Sequence, residues 1–467
     1  MLFNSLHFIV FFIFVTTSYY TTPWRWRWVL LLIASAYFYA SFIPAYLLLL
    51  GIIIIFDYAA GICISKLSGA ARRCMLVMSI IANVGFLSFF KYFDFLNANI
   101  SALLDLIGVD YQFAALAEQY PGLALPIGLS FHTFQSMSYT IEVYRGKQRA
   151  ERHFGIYALY VLFYPQLVAG PIERPQNVLH QFRRKMGFDW DNLRTGLWWM
   201  VWGMFKKVVI ADRLALVTDP IFAHADTHNA STLAIAALFY SIQIYCDFSG
   251  YSDIALGIAR TMGFRLMVNF RSPYFSKSIT EFWQRWHISL STWFRDYVYI
   301  PMGGNRRGNL VTCINLLFVF LLSGLWHGAD WKFVVWGAIH GLYLILARIG
   351  NAGMFSFSLL PGWARIGSTF LAVTFAWIFF RAHTMGDALL IVRTLATPAL
   401  WNLPAVPVSV TEMLFSVILI ILLFLKEHYL PDYVPARRSF WPSLGVATFL
   451  CYLWGVFGSN QFIYFQF

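Results

Sequence analysis

Two histidines in this chain occupy positions where a polar ring has to be explained. His327 closes the nearly uncharged run VTCINLLFVFLLSGLW within SGLWHGADW, and His287 lies among tryptophans and arginines in TEFWQRWHISLSTWFRDY. An imidazole, with an unperturbed pKa near 6.5, can give or take a proton around neutrality, which suits it to general acid–base work. In hydrocarbon a polar ring is costly unless it is partnered or faces a wet cavity, so His327 is a functional candidate by default. The competing reading is a neutral histidine bonded to a neighbouring helix. Gly324 and Gly328 flank the ring, leaving room for a substrate or for close helix packing.

The elements that must hold these rings are membrane helices. Of the 467 residues, 59% are hydrophobic and 19% aromatic, while 12% are charged, about half the share of a soluble globular protein. Runs such as WVLLLIASAYFYA and YLLLLGIIIIF recur along the whole chain without charged faces at helical spacing. The composition implies an all-α, polytopic transmembrane protein. MLFNSLHFIVFFIFV lacks the basic region of a cleaved signal peptide and reads as a retained first helix.

The net charge of +12 does not point to nucleic acid, because the basic residues cluster in short loops between apolar segments. That is the positive-inside pattern of a lipid bilayer protein. Basic loops at 25–27, 66–73, 145–152, 174–194, 260–307 and 426–438 face the cytoplasm on this reading. Loops without Lys or Arg, over 97–121 and 218–231, face outward, with both termini outside and about twelve crossings. The apolar stretch 153–170 falls between two basic loops, and its end, YPQLVAGPIERP, carries helix breakers. It is read as re-entrant, since non-helical backbone at membrane depth survives only inside protein or beside a cavity. No internal repeat or long linker divides the chain, which implies one membrane domain over residues 1–467.

Within TEFWQRWHISLSTWFRDY, Phe282, Trp286, Leu290 and Trp293 or Phe294 recur at helical spacing and Glu281 and Arg285 form an i,i+4 pair, which predicts an amphipathic helix at a cytoplasmic surface. Asp247 and Asp253, in CDFSGYSD, are expected in a buried network with Arg or Tyr. His132 and His340 read as structural rings beside an interior path. His224 and His228 have i,i+4 spacing without a third ligand, and the five cysteines form no CxxC pair, so no metal site is expected. No Walker loop, GxSxG elbow or HExxH motif is present.

Five ordered motifs, PIGLSFHTFQSMSYTIEVYRG, FYPQLVAGPIERP, YCDFSGYSDIALGIARTMGF, NFRSPYFSKSITEFWQRWHISLSTWFRDYVYIPMGGNRRG and LLSGLWHGADWKFVVWGAIHG, strongly resemble the membrane-bound O-acyltransferases (MBOAT) of bacteria. Within that family the likeness is to the membrane subunit of alginate O-acetylation and its relatives acting on cellulose or peptidoglycan, with the exporter of D-alanine to teichoic acids more distant. It covers nearly the whole chain and is most specific over 126–341, and the closing FIYFQF also looks like the end of such proteins.

The resemblance implies a helical ring around a thin core with re-entrant helices and a tunnel, His327 as catalytic base and His287 as the second polar landmark. It implies a cytoplasmic acyl thioester donor, acetyl-CoA or another, with no permanently bound cofactor. The weak candidates for the donor's phosphates are Arg271, Lys277, Arg285, Arg306 and Arg307, whose simpler reading is topology signalling. Because the outward loops are short and the modified polysaccharide of such systems is extracytoplasmic, the acyl group is expected to pass to a separate SGNH-like transferase with a serine nucleophile, docked on the outward loops and an exposed FIYFQF end. The setting implied is a bacterial inner (cytoplasmic) membrane. A transporter of polysaccharide or lipid, or a non-catalytic scaffold of a secretion complex, are the rival readings.

The charge alternation makes a direct prediction. Cysteines placed at Arg183 and Arg306 should react with impermeant reagents only from the cytoplasmic side, and one at Asp110 only from outside. Labelling of the Arg183 position from outside would show that 153–170 crosses the bilayer.

Overall fold

The computed structural model describes residues 1–109, 111, 126–168, 170–352, 360–457 and 462–463; Asp110 and 112–121 of the expected outward loop, and Tyr464–Phe467, lie outside the described residues. Among the described residues the regular structure is helical, with no strand.

The chain forms two compact units. The first comprises Met1–Leu197 and Ala255–Met267, the second Trp198–Ile254 and Val268–Phe467. The first unit holds α1 (Leu6–Thr21), α2 (Arg27–Ala40), α3 (Pro44–Lys66), α4 (Gly69–Lys91), α5 (Phe93–Asp105), α6 (Leu129–Tyr144) and α7 (Phe154–Leu162). Next come α8 (Trp190–Met204), a π-helical stretch Phe205–Ala211, α9 (Asp212–Ala223) and the long α10 (Ala230–Thr261). The second unit continues with α11 (Ile279–Arg285), α12 (Ile288–Phe294), α13 (Asn309–His327), α14 (Trp331–Ala352), α15 (Gly362–Arg381), α16 (Met385–Ala396), α17 (Val410–Tyr429) and α18 (Phe440–Trp454).

Among the described residues six helices are long and apolar enough to cross a membrane: α3, α4, α10, α13, α14 and α15, with α1 and α18 shorter but apolar. The remaining segments expected as crossings are short or carry charges within the helix, as Glu412, Lys426 and Glu427 do in α17. The local sequence accounts for the helix starts. Pro44, with no N–H to lose, occupies the first turn of α3. The Ser5 hydroxyl accepts from the Phe8 amide at the start of α1, and Thr384 and Asp387 form a reciprocal capping box on α16. Helix α3 shows why an all-round apolar segment suits lipid: Leu48, Ile52 and Ile55 are exposed, while Leu50, Ile53 and Ile54 are buried. Its one carboxylate, Asp57, is fully buried and accepts hydrogen bonds from Ser79 (2.7 Å) and Asn83 (2.8 Å) on α4.

Helix α7 has nine residues. It rises about 14 Å, less than half of the roughly 30 Å hydrocarbon core, so it is too short to span. Beyond Leu162 the backbone leaves helical form and is buried in protein. The Tyr164 amide donates to the Ser35 hydroxyl (3.1 Å), the Gln166 side chain to the Tyr160 carbonyl (3.0 Å), and the Tyr160 hydroxyl to the Glu173 carbonyl (2.9 Å). Each is a bond that lipid could not supply.

In the second unit, α13 and α14 pack backbone to backbone. A Cβ on Gly324 would run into the Phe333 carbonyl, and one on Gly337 into the Phe320 carbonyl. Of the two uses open to Gly324 in the sequence, close helix packing is the one realised. Gly324→Ala and Gly337→Ala should each destabilise the protein by about 1–3 kcal/mol through overpacking. Gly51, where an added Cβ would meet nothing within 4 Å, should tolerate alanine without loss. Thermal unfolding in detergent measures both; wild-type melting of Gly324→Ala would contradict the packing assigned to it.

Candidate active site

The predicted amphipathic helix does not run through His287. It breaks into α11 and α12, with Trp286 extended and His287 left-handed at φ 41°, ψ 54°. Phe282, Trp286, Leu290, Trp293 and Phe294 are all buried in protein and do not lie on a membrane surface. Glu281 and Arg285 do form the expected ion pair, at 2.7 Å.

A left-handed non-glycine residue is held only when its surroundings over-determine it, at a cost of about 1–3 kcal/mol. Here a neighbouring strip of chain supplies the restraint. The Arg271 amide donates to the Arg285 carbonyl (3.0 Å), and the Ile288 amide to the Asn269 carbonyl (2.9 Å). The Ser289 amide donates to the Asn269 side-chain oxygen (3.2 Å), and the Asn269 amide nitrogen donates to the Ser252 hydroxyl (3.3 Å). The first N–H groups of α12, orphaned by the break, are thereby satisfied.

The His287 ring stands edge-on to Phe248 with centroids 4.7 Å apart and lies 6.4 Å from the Trp326 ring. Trp326 in turn contacts the next residue, His327, at 4.9 Å. His327 ends α13, is 5% exposed, and is enclosed by Trp336 (5.0 Å) and Phe380 (5.3 Å) as well. The two histidines singled out by the sequence, 40 residues apart in the chain, thus border one indole. Burial pushes the His287 imidazole down to about 3, so it is neutral over the physiological range. The arrangement sets two imidazoles, that of His287 neutral, within one aromatic cluster.

Residues 148–385 match the profile described as MBOAT, membrane-bound O-acyltransferase family. A probable alginate O-acetylase, AlgI, of Azotobacter vinelandii is 40% identical over 372 residues, covering 79% of this chain and 72% of that protein. The chain belongs to the membrane-bound O-acyltransferase family. A peptidoglycan O-acetyltransferase of Helicobacter pylori is 37% identical over 391 residues, covering 78% and 72% of the two chains. A teichoic acid D-alanyltransferase of Streptococcus thermophilus is 29% identical over 238 residues, covering 47% and 56%. As a member of this family the chain is a multi-pass membrane acyltransferase.

Around these two histidines the other candidates separate. His340, on α14, is fully buried in the same aromatic cluster, 4.9 Å from Trp336 and 5.0 Å from Trp283, and neither ring nitrogen has a hydrogen-bond partner among the described residues. His132 belongs to the first unit, edge-on to Tyr39 at 5.7 Å. Arg271, Lys277, Arg306 and Arg307 are exposed, while Arg285 is half-buried in its ion pair. Among the described residues no group of three or more His, Cys, Asp or Glu is arranged to hold a metal.

Asp247 and Asp253 are paired with lysines, not with the expected Arg or Tyr. Lys207 reaches Asp212 (2.8 Å) and Asp247 (2.6 Å); Lys206 reaches Asp253 (2.8 Å) and the Ser249 hydroxyl (2.9 Å). Both lysines sit on the π-helical stretch Phe205–Ala211, where the wider turn lets Lys207 meet a carboxylate five residues on. The sequence carried a signal for this: two adjacent lysines inside WWMVWGMFKKVVIADRLALV have no reason to be there without buried carboxylates. The closing aromatic segment is not simply exposed either. Phe462 is 1% exposed, edge-on to Tyr251 at 4.6 Å and under the Lys207 ammonium at 4.7 Å, and the Ile463 amide donates to Asp247 (2.8 Å). The rest of the FIYFQF end expected to dock a partner, Tyr464–Phe467, lies outside the described residues.

Lys207→Met strands two buried carboxylates, and breaking such a pair costs about 3–5 kcal/mol. Asp253→Asn acts at a carboxylate 31% exposed and leaves the buried Lys206 ammonium an amide oxygen beside the Ser249 hydroxyl, so it should cost less than Lys207→Met. Yield and thermal unfolding of the purified variants compare them; equal stability would contradict the burial assigned to the Lys207 cluster.

Proposed function

We propose that this acyltransferase takes an acetyl or other acyl group from a cytoplasmic thioester, acetyl-CoA or a relative, and delivers it across a bacterial inner membrane for O-acetylation of an extracytoplasmic polysaccharide. The observation that carries the reading is the meeting of His327 and His287 around Trp326 in a chain about 40% identical to alginate O-acetylases. His327 is the base. Its neutral imidazole takes the proton of the accepting hydroxyl as that oxygen attacks the thioester carbonyl. As the C–S bond breaks, the proton passes to the departing sulfur, so that an ester and a free thiol are the products. His287 and Trp326 border the place where negative charge develops, and a donor aimed there stabilises the tetrahedral oxyanion. The exposed Arg271, Lys277, Arg306 and Arg307, with Arg285, draw the donor's phosphates to the cytoplasmic mouth of a tunnel.

The chain acts as a single membrane domain, since two of the three passages between its compact units fall inside continuous helices, α8 and α10. Its described outward loops are short, which favours relay of the acyl group to a separate extracytoplasmic SGNH-like partner over direct modification of a long polymer by this chain. On this reading 153–170 is re-entrant and lines the functional interior.

Two results follow. His327→Ala should lower acyl transfer by the roughly 10²- to 10⁴-fold that general-base catalysis supplies, in a protein of normal abundance. A well-folded His327→Ala with near-normal turnover would overturn the assignment. The pH profile separates the two rings. Transfer should fall on the acid side as the base is protonated. His287→Gln should lower the plateau without moving that acid limb, because His287, pushed down to about 3, stays neutral throughout. An acid limb that vanishes in His287→Gln would exchange the two roles. For the relay, removing the extracytoplasmic transferase should abolish polymer acetylation and leave thioester turnover measurable with water or a small soluble hydroxyl as the acyl acceptor.

A further inference from the structure

We infer that Asn269 is a positioning residue of the acyltransferase, setting the place of His287 through the backbone break rather than through the ring. The inference rests on the role proposed above for His287. Among the described residues, the non-glycine residues with positive φ are Ser272 and His287. They border a single structural device, the pairing of 269–271 with 285–289. In an uninterrupted helix the amides of Ile288 and Ser289 would bond back to the carbonyls of residues 284 and 285, and His287 would share a stripe with Trp283 and Ser291. Both amides turn instead to Asn269, one to its carbonyl at 2.9 Å and one to its side-chain oxygen at 3.2 Å.

The carbonyl contact survives any substitution at position 269. The side-chain contact does not. Asn269 is 1% exposed, and its side-chain nitrogen is tied to Ser252 on α10, the helix that also carries Phe248 against the His287 ring. One amide side chain therefore fixes the start of α12 relative to the helix that His287 packs on. Without the oxygen acceptor, the Ser289 amide loses its bond to Asn269, and rejoining the helical ladder in its place withdraws His287 from the left-handed conformation. Aspartate keeps the acceptor and the shape but introduces a buried charge; leucine keeps the approximate volume without the acceptor.

The test measures thioester turnover per folded molecule for Asn269→Asp, Asn269→Leu, Asn269→Ala and His287→Ala in lipid, together with thermal unfolding. Asn269→Leu and Asn269→Ala should lose about ten- to a hundredfold in kcat, the scale of a small misplacement, with KM for the thioester moving by no more than about twofold. Asn269→Asp should keep most of the rate although its buried carboxylate lowers the melting temperature, so that activity and stability rank the variants differently. If Asn269→Ala does not accumulate, the Leu and Asp variants carry the comparison. Wild-type kcat in Asn269→Leu, or rates that simply follow melting temperature, would overturn the inference. Full turnover in His287→Ala would instead remove the role of His287 itself, which keeps the two failures distinct.

Discussion

A backbone that leaves the helix inside protein must find its hydrogen bonds there, and the surroundings of His287 depend on how the chain meets that constraint. The break between α11 and α12 exposes amides that must be satisfied internally, and a strip only three residues long, 269–271, does so. From that pairing follow the left-handed conformation of His287, its contact with Phe248, and its place across Trp326 from His327. The same constraint recurs in the first unit. There the non-helical segment after α7 draws on Ser35, Gln166 and Tyr160 for its bonds.

Charge in the second unit obeys a related rule. Lys206 and Lys207 are nearly inaccessible, and each faces at least one carboxylate within 2.8 Å. Such clusters are weak contributors to net stability but severe when broken, and they fix which helices can lie together. The π-helical stretch suits this use, because its wider turn projects Lys207 toward both Asp212 and Asp247. The contact of Phe462 with the Lys207 ammonium and of Ile463 with Asp247 ties the far end of the described chain to the same cluster.

Much of this was legible in the sequence, and the remainder was hidden for identifiable reasons. A charged share of 12% with recurrent apolar runs is enough to fix a helical membrane protein. The two histidines stand out because each is a polar ring in apolar or aromatic company. The break at His287 was not legible, since Phe282, Trp286 and Leu290 keep a four-residue spacing straight through it. The partner that causes it, Asn269, is 18 residues away. The same holds for the lysines: Asp247 lies 40 residues from Lys207, and hydropathy alone cannot report a pairing of that range. Gly324 allowed two readings locally, and only the carbonyl of Phe333 on the facing helix decides between them.

The central claim is that this protein alone moves an acyl group from a thioester to a hydroxyl with His327 as the base. Its most direct measurement is release of free thiol from a labelled acetyl thioester added to the cytoplasmic face of the purified protein in sealed vesicles, with a soluble hydroxyl acceptor inside. The account predicts thiol release matched by labelled ester in the vesicle interior, both absent with His327→Ala. Thiol release without labelled ester, or equal release by the wild type and His327→Ala, would contradict it.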